Sequence, residues 1–230
     1  SADLFIFDFE DAVSPENKEK ARNLVANVLI NKKADYGQKK VITRVNSIES
    51  EWGQLDLEAL KNSKTDGILF PKVNEVEDVK KIKKEISSKN ISEKTEIWIM
   101  VETPKCVINL KSILEEFNGI FGVVVGTNDL AKELGLPKQE NRFGLINSLA
   151  NIVLVAKAFG VFCLDGVFNK IGDDLGLSEE LIEGKRLGYD GKTLIHPSQI
   201  EKTNQIFLPS DQEVQLAEKY IDAFTKSENE

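Results

Sequence analysis

The sequence predicts an α/β fold, a TIM-type (β/α)8 barrel of parallel strands, on three observations. Seven apolar runs of strand length alternate with helical segments over 230 residues, and this alternation indicates a parallel sheet with right-handed crossovers. Most runs are continuously apolar, as in strands buried on both faces. Polar residues follow nearly every run, where barrel enzymes place their sites. The barrel is therefore favoured over an open sheet, although it needs eight strands and seven are found.

The predicted elements follow one another without a Gly/Ser-rich linker, a low-complexity tract or a near-identical repeat. Strands are predicted at 4–9, 40–45, 67–71, 96–102, 120–126, 161–167 and 192–196, and helices at 18–30, 75–86, 107–117, 143–159 and 179–187. Ser14 and Pro15 suit the cap and first residue of a helix. Residues 1–209 are predicted to form the barrel domain, and residues 210–230 an amphipathic C-terminal helix.

Composition limits the classes of function. The chain is 41% hydrophobic and carries a formal net charge of −8, which argues against a nucleic-acid or anionic-membrane surface. No apolar run approaches the roughly 20 residues of a membrane span. Cys106 and Cys163 follow no metal-binding spacing and imply no disulfide framework. A single domain in a reducing cytoplasm is expected.

Two carboxylates follow neighbouring predicted strands. Glu102 ends the run at 96–102, and Asp129 follows the run at 120–126. One βαβ unit takes roughly 30 residues, so these strands should be adjacent and parallel, with both acids at the same end. Paired oxygen ligands suit Mg²⁺. The alternative is that Glu102 pairs with Arg44 while Asp129 caps the following helix.

Acidic and basic residues also follow the first two runs. Asp8, Glu10 and Asp11 lie within four residues, and Arg44 lies inside a β-branched run. Glu10 or Asp11 could point into the barrel mouth, or one acid could cap a helix while the others face solvent. A buried guanidinium must be paired, and its fork suits a ligand carboxylate. A salt bridge from Arg44 to Glu10 or Glu102 is the structural alternative, and both can hold at once.

Two further candidates are less informative. Lys72, after the third run, suits an anion contact or an ordinary place on the rim. His196 is the only histidine; it could act as an acid or base, or be held by backbone hydrogen bonds before Pro197. No GxGxxG motif or phosphate-binding glycine loop occurs in the sequence.

The order of these motifs resembles the citrate lyase β-subunit and malyl-CoA lyase family, within the HpcH/HpaI aldolase superfamily. The matching blocks are 8–15 (DFEDAVSP), 44–46 (RVN), 71–72 (PK), 102–104 (ETP), 126–130 (GTNDL), 164–167 (LDGV) and 187–200 (LGYDGKTLIHPSQI). The resemblance implies Mg²⁺ dependence, with Mn²⁺ as a substitute, and carbon–carbon bond chemistry on acyl-CoA and keto-acid substrates. It implies that Glu102 and Asp129 bind the metal and that Arg44 binds the substrate carboxylate. Glu10 and Asp11 belong to the same mouth.

The resemblance also shows two departures. Family members usually begin with a further strand and helix, whose absence here accounts for the missing eighth strand. They usually continue past the C-terminal helix into a lid that reaches a neighbouring subunit and can supply a catalytic acid. Residues 210–230 are expected to begin such a lid, and a fragment, a partly ordered chain and a reduced family member remain open alternatives.

The predicted activity is Mg²⁺-dependent cleavage or formation of a 3-hydroxyacyl-CoA thioester. In this reaction Arg44 and Glu102 contact substrate, while Arg44, Glu10 and Asp11 serve catalysis. Citryl, malyl and citramalyl groups are not distinguished. A CoA-free class II aldolase and a non-catalytic subunit of a lyase complex are the alternatives. The resemblance further implies a homo-oligomer, a trimer or hexamer, and lyase-complex subunits as further partners.

Overall fold

A computed structural model, which describes residues 1–137 and 142–227, contains one sheet of seven parallel strands. The strands are β1 (Leu4–Asp8), β2 (Lys40–Arg44), β3 (Gly67–Phe70), β4 (Glu96–Val101), β5 (Ile120–Val125), β6 (Phe162–Asp165) and β7 (Gly191–Lys192). They are ordered in space as in the chain, from β1 to β7. This order brings the carboxyl ends of all seven strands to one side of the molecule.

Helices connect the strands and extend the C-terminus. They are α1 (Lys18–Asn31), α2 (Glu51–Leu60), α3 (Val76–Ser88), α4 (Pro104–Glu116), α5 (Thr127–Glu133), α6 (Ile146–Ala158), α7 (Asp174–Leu187), α8 (Gln199–Phe207) and α9 (Asp211–Ser227). Every predicted helix is confirmed to within a few residues, including α9, whose predicted last three positions lie outside the described residues. No helix in the described ranges has the length and hydropathy needed to cross a membrane.

The seven predicted strands are confirmed. However, the described residues, 1–137 and 142–227, do not form the predicted closed eight-stranded barrel. β1 and β7 are the two ends of the strand order, and no ladder joins them in these ranges. The seventh strand is also shorter than the predicted 192–196. Thr193 still donates its N–H to Asp165 O at 3.0 Å. Pro197 has no N–H to extend the ladder, and the chain turns at Ile195, which is half exposed.

Two helices, α2 and α8, were not predicted, and α5 was expected only in the alternative in which Asp129 caps a helix; Gly126 is its cap residue, and Asp129 lies in its first turn. Gly53 in α2 looks like a helix breaker in the sequence, yet a Cβ there would lie 2.1 Å from the Ser47 carbonyl oxygen. Glycine is thus required by close packing rather than by a turn. Ser50 caps this helix by accepting the Gly53 N–H at 3.1 Å. Ser14 and Pro15 hold the predicted cap and first positions, in a 3-10 turn (Pro15–Asn17) just before α1, but the Ser14 side chain caps no N–H because its hydroxyl donates to Glu16 Oε1.

Side chains on the two faces of the sheet have different surroundings. The larger core packs the helices against one face and includes Leu29, Leu57, Leu110 and Leu149. The opposite face carries a smaller apolar cluster of Ile42, Leu69, Trp98, Met100 and Val124. Because strand side chains alternate between faces, Arg44 and Glu102, two residues beyond Ile42 and Met100, lie on this second face at the strand ends.

Gly122 shows how tightly this second face is packed. A Cβ on Gly122 would lie 2.1 Å from Trp98 Cζ3, whereas one on Gly119 would meet only Lys83 Nζ, at 3.9 Å. We expect Gly122→Ala to lower the free energy of unfolding by about 2–3 kcal/mol through overpacking. Gly119→Ala should change it by less than about 0.5 kcal/mol. Urea unfolding of both variants checks this, and equal midpoints would contradict it.

Candidate active site

The charged residues singled out in the sequence meet at the carboxyl ends of β1 to β5. We call this group the mouth. It comprises Asp8, Glu10, Asp11, Arg44, Lys72, Glu102 and Asp129. The β1–β2 register pairs Asp8 directly with Arg44, and the adjacency of β4 and β5 brings Glu102 toward Asp129. The predicted site residues are therefore brought together.

Arg44 is the central cation of the mouth. Its Nε donates to Asp8 Oδ1 at 2.8 Å, and its Nη2 donates to Asp8 Oδ2. Its Nη1 lies 3.0 Å from Glu10 Oε2 and 3.2 Å from Asp11 Oδ2. Burial alone would lower the pKa of Arg44, but the surrounding acids raise it, so the guanidinium stays charged. Of the structural alternatives, the salt bridge to Glu10 is present, whereas the fork to Asp8 was not expected.

Asp8 was noted in the sequence only as one of three neighbouring acids, and its role was not predicted. Besides the Arg44 fork, its carboxylate accepts the backbone N–H groups of Glu10 at 2.8 Å and Ala12 at 3.1 Å. Burial raises the pKa of Asp8, but Arg44 and these N–H donors hold it below the ordinary value. The sequence could have indicated this role only through the position of Asp8 as the last residue of its strand. Asp8 therefore fixes both the guanidinium and the following acidic turn.

A buried network supports the same turn from below. Lys18 Nζ donates to the carbonyl oxygens of Phe9 at 2.7 Å and Glu10 at 3.0 Å. Asn46 Nδ2 donates to Phe9 O at 2.9 Å and also to Asp56, whose fully buried carboxylate pairs with Arg22. The backbone at residues 9–10 is thus held by charged and amide donors. This support limits the directions in which Glu10 can point.

Glu10 has unusual surroundings for a carboxylate, because it is largely buried. Its side chain is 14% exposed, and its Oε2 is buried and has no hydrogen bond despite facing Arg44. Burial, together with the charges of Asp11 and Glu102, raises its pKa to about 7, against the opposing effect of Arg44. A carboxylate with such a pKa can gain and lose a proton near neutral pH.

Glu102 and Asp129 share one cation. Lys72 Nζ lies 3.4 Å from Glu102 Oε1 and 2.8 Å from Asp129 Oδ2, and the Lys72 N–H donates to Glu102 Oε1 at 2.7 Å. Burial raises the pKa of Glu102, whose side chain is 1% exposed. The hydrogen bond from Lys72 lowers the pKa of Asp129, which is more exposed. The positive φ of Lys72, 57°, belongs to the turn that makes these contacts.

These two carboxylates fit a magnesium ion. They converge on one cationic position, which the ammonium of Lys72 takes in this structure. Within the described ranges, no group of three or more His, Cys, Asp or Glu side chains is arranged to hold a metal. Mg²⁺ is commonly held by one or two carboxylates while keeping water or substrate oxygens. The pair can therefore hold Mg²⁺ when such oxygens complete its shell.

The other residues noted in the sequence make contacts within the protein. His196 is exposed, and its Nδ1 accepts the Ser198 N–H at 3.2 Å and lies 2.8 Å from Ser198 Oγ. Asp165, from the LDGV block, is fully buried between Arg142 at 2.6 Å and Lys192 at 3.0 Å. Asp11 reaches Arg44 but remains 70% exposed. Of the three acids at the end of β1 and in the turn after it, Asp8 and Glu10 are therefore the ones held in place.

The pKa of Glu10 has a consequence for stability. The folded value of about 7 exceeds the ordinary 4.5, so the folded protein binds the extra proton between these values. Stability from this group is present at low pH and is lost as pH rises through 7. Replacing Glu10 with Gln should therefore become more favourable, by about 2 kcal/mol, between pH 5 and pH 8. Urea unfolding in EDTA measures this, with Glu16→Gln as the control; a pH-independent difference would contradict it.

Comparison with known proteins identifies the relatives of this chain. Residues 1–197 match the family model described as HpcH/HpaI aldolase/citrate lyase. The (3S)-malyl-CoA thioesterase of Cereibacter sphaeroides is 40% identical over 228 residues, covering 99% of this chain and 77% of that protein. Citrate lyase subunit beta of Escherichia coli K12 is 29% identical, with 96% and 74% covered.

A solved structure shares the fold. The protein CitE of Mycobacterium tuberculosis, in complex with magnesium, acetoacetate and coenzyme A, superposes with a TM-score of 0.78 and 26% identity, covering 98% of this chain and 80% of that one. The family model and the C. sphaeroides relative both span most of this sequence. The chain belongs to the HpcH/HpaI aldolase/citrate lyase family.

Proposed function

We propose that this protein is a Mg²⁺-dependent carbon–carbon lyase acting on a 3-hydroxyacyl-CoA thioester with a carboxylate beside its hydroxyl group. Cleavage yields an α-keto acid and an acyl-CoA, and the reverse reaction is the condensation. One observation carries this proposal: a guanidinium, a carboxylate with a pKa near 7 and a pair of cation-sharing carboxylates face one mouth. The malyl-CoA and citrate lyase relatives, and the CitE complex with magnesium and coenzyme A, support it.

Arg44 binds the substrate carboxylate. Asp8 occupies Nε and Nη2 of the guanidinium, which leaves Nη1 toward Glu10 and Asp11. A substrate carboxylate at Nη1 competes with these two acids, and the exposed Asp11 is the easier to displace. Because Asp8 holds the fork, the substrate meets a donor that is already oriented.

Glu10 receives the hydroxyl proton. In the cleavage direction, its carboxylate takes that proton while the bond between the carbinol carbon and the thioester α-carbon breaks. The carbinol carbon becomes the keto carbon, and the bonding electrons form the enolate of the acyl thioester. Returning one proton to the enolate carbon completes the acyl-CoA, so no net proton is consumed. Glu102 and Asp129 would hold Mg²⁺, which would supply Lewis acidity and orientation for the keto-acid product.

Removing the buried metal carboxylate tests the metal role. We expect Glu102→Gln to abolish calorimetric Mg²⁺ binding and to lower the cleavage rate by about 10³-fold, since a Lewis acid contributes several kcal/mol. Glu75→Gln, a change at an exposed acid paired with Lys105, is the matched control. Unchanged Mg²⁺ affinity in Glu102→Gln would contradict the assignment.

The proton role of Glu10 makes a separate prediction. Glu10→Gln should lower kcat by about 10²–10⁴-fold, as expected for loss of a general base, while Mg²⁺ affinity is retained. In the wild type, kcat/KM should fall tenfold per pH unit below the pKa of Glu10. A bound divalent cation shifts that limb below pH 7. A Glu10→Gln variant with the wild-type acid limb would overturn this role.

The products distinguish the remaining candidate functions. The lyase releases an α-keto acid and an acyl-CoA, whereas thioester hydrolysis, the activity named for the C. sphaeroides relative, releases free CoA thiol. A CoA-free aldolase would cleave hydroxy keto acids and would not bind CoA. A non-catalytic subunit would show none of these reactions. Trimer or hexamer formation and use of Mn²⁺ remain predictions, for which sedimentation and metal substitution are the measurements.

A further inference from the structure

We propose that this protein has a second binding site, for an anion with several phosphate groups, at the end of the sheet opposite the mouth. A cavity of about 440 Å³, which we call the basal cavity, lies at the amino ends of β2, β3 and β4. Residues of the segments 33–40, 63–66 and 92–96 line it. Its volume is within the usual range of small-molecule sites. The basal cavity is separate from the mouth, because Lys40 begins β2 and Arg44 ends it, about 13 Å further along the strand.

Five lysines line the basal cavity. Lys33, Lys39 and Lys40 belong to the segment that leads into β2, Lys64 to the turn before β3, and Lys94 to the turn before β4. These segments are distant in the sequence, and parallel pairing of the three strands brings them together. The chain as a whole has a formal net charge of −8, so its composition does not predict such a cluster. A basic cavity of this kind attracts anions from solution.

The acids that line the basal cavity neutralise only two of these lysines. Lys33 Nζ lies 2.8 Å from Asp66 Oδ2, and Lys40 pairs with Glu96. Asp66 Oδ2 also accepts the Val41 N–H at 2.6 Å. Both acids are thus occupied by partners within the protein. Since the lining has five lysines and two acids, it holds three ammonium groups beyond those that its carboxylates balance.

The remaining ammonium groups are accessible to a ligand. Lys64 and Lys94 are exposed, and neither ammonium makes an ion pair or a hydrogen bond with another described residue. Lys39 Nζ donates to Ala2 O at 2.6 Å and has two further N–H groups to donate. An ammonium binds phosphate oxygens as a point charge, without a fixed direction of approach. Three such groups can balance a short phosphate chain.

Two serines add hydroxyl donors to the lining. Ser63 Oγ accepts the Thr65 N–H at 3.4 Å, and Ser92 Oγ accepts the Lys94 N–H at 3.2 Å. Neither hydroxyl donates to another described residue, so each hydrogen is available to an anionic oxygen. Donors that are spread over three segments match tetrahedral phosphate groups, whose oxygens point in several directions, better than a planar carboxylate.

Calorimetry with tripolyphosphate, in metal-free buffer of low ionic strength, tests this site. The double variant Lys64→Gln/Lys94→Gln should bind it at least about tenfold more weakly than the wild type, because two exposed charge contacts are lost. The matched control is Lys20→Gln/Lys111→Gln, which removes the same charge from exposed residues outside the basal cavity. It should retain wild-type affinity. An equal loss in both double variants, or no binding by the wild type, would overturn the site.

Amide NMR spectra of the same protein locate the bound anion. Tripolyphosphate should shift the N–H signals of residues 63–66 and 92–96, in the wild type and equally in Glu102→Gln, whose change lies in the mouth. Shifts confined to residues 8–11 and 72 would place the anion in the mouth and refute the proposal. Because Glu102→Gln is expected to lack lyase activity, these shifts are decided independently of the proposed function.

Two further ligands define the chemical class. Propane-1,2,3-tricarboxylate should bind at least about tenfold more weakly than tripolyphosphate, and equal affinity would overturn the preference for phosphate. ATP carries the same phosphate chain on a nucleoside. Tighter binding of ATP than of tripolyphosphate, with the same shifts, identifies a nucleotide as the ligand, whereas weaker binding identifies a free phosphate chain; both results support a phosphate site.

Discussion

The fork between Asp8 and Arg44 is the interaction on which the rest of the mouth depends. It joins the last residues of β1 and β2, which are paired in register. The Asp8 carboxylate also accepts two backbone N–H groups of the acidic turn. The fork therefore sets the direction of Nη1, and with it the place where a ligand carboxylate can bind. A bidentate, partly buried ion pair of this kind fixes the geometry of its groups more closely than an exposed ion pair does.

Charge balance is the second constraint on the mouth. Two cations serve five carboxylates, and the acids differ in how far burial opposes their ionisation. Glu102 and Glu10 have raised pKa values, whereas Asp8 and Asp129 have lowered ones because strong donors contact them. The excess of oxygen ligands suits a divalent cation. It also leaves one carboxylate, Glu10, whose pKa suits proton transfer near neutral pH.

Much of this arrangement could be predicted because parallel strands bring their carboxyl ends together. Glu102, Asp129 and Arg44 follow or end recognisable apolar runs, so their proximity required only the strand order. The role of Asp8 could not be predicted in the same way, because it depends on the register that sets it opposite Arg44. Helix α2 was missed because Gly53 is there for close contact with the Ser47 carbonyl, which composition does not reveal.

The sequence by itself determined the α/β class, the seven strands and the set of acids and bases at their ends, because these follow from apolar periodicity and local order. Only the tertiary structure decided which acids are held in place, which is exposed and which lacks a hydrogen bond. It also decided that Lys72 bridges Glu102 and Asp129, and that lysines from three segments line the basal cavity. Those properties depend on distances between strands and on burial, which arise when the chain packs and are not carried by any single segment.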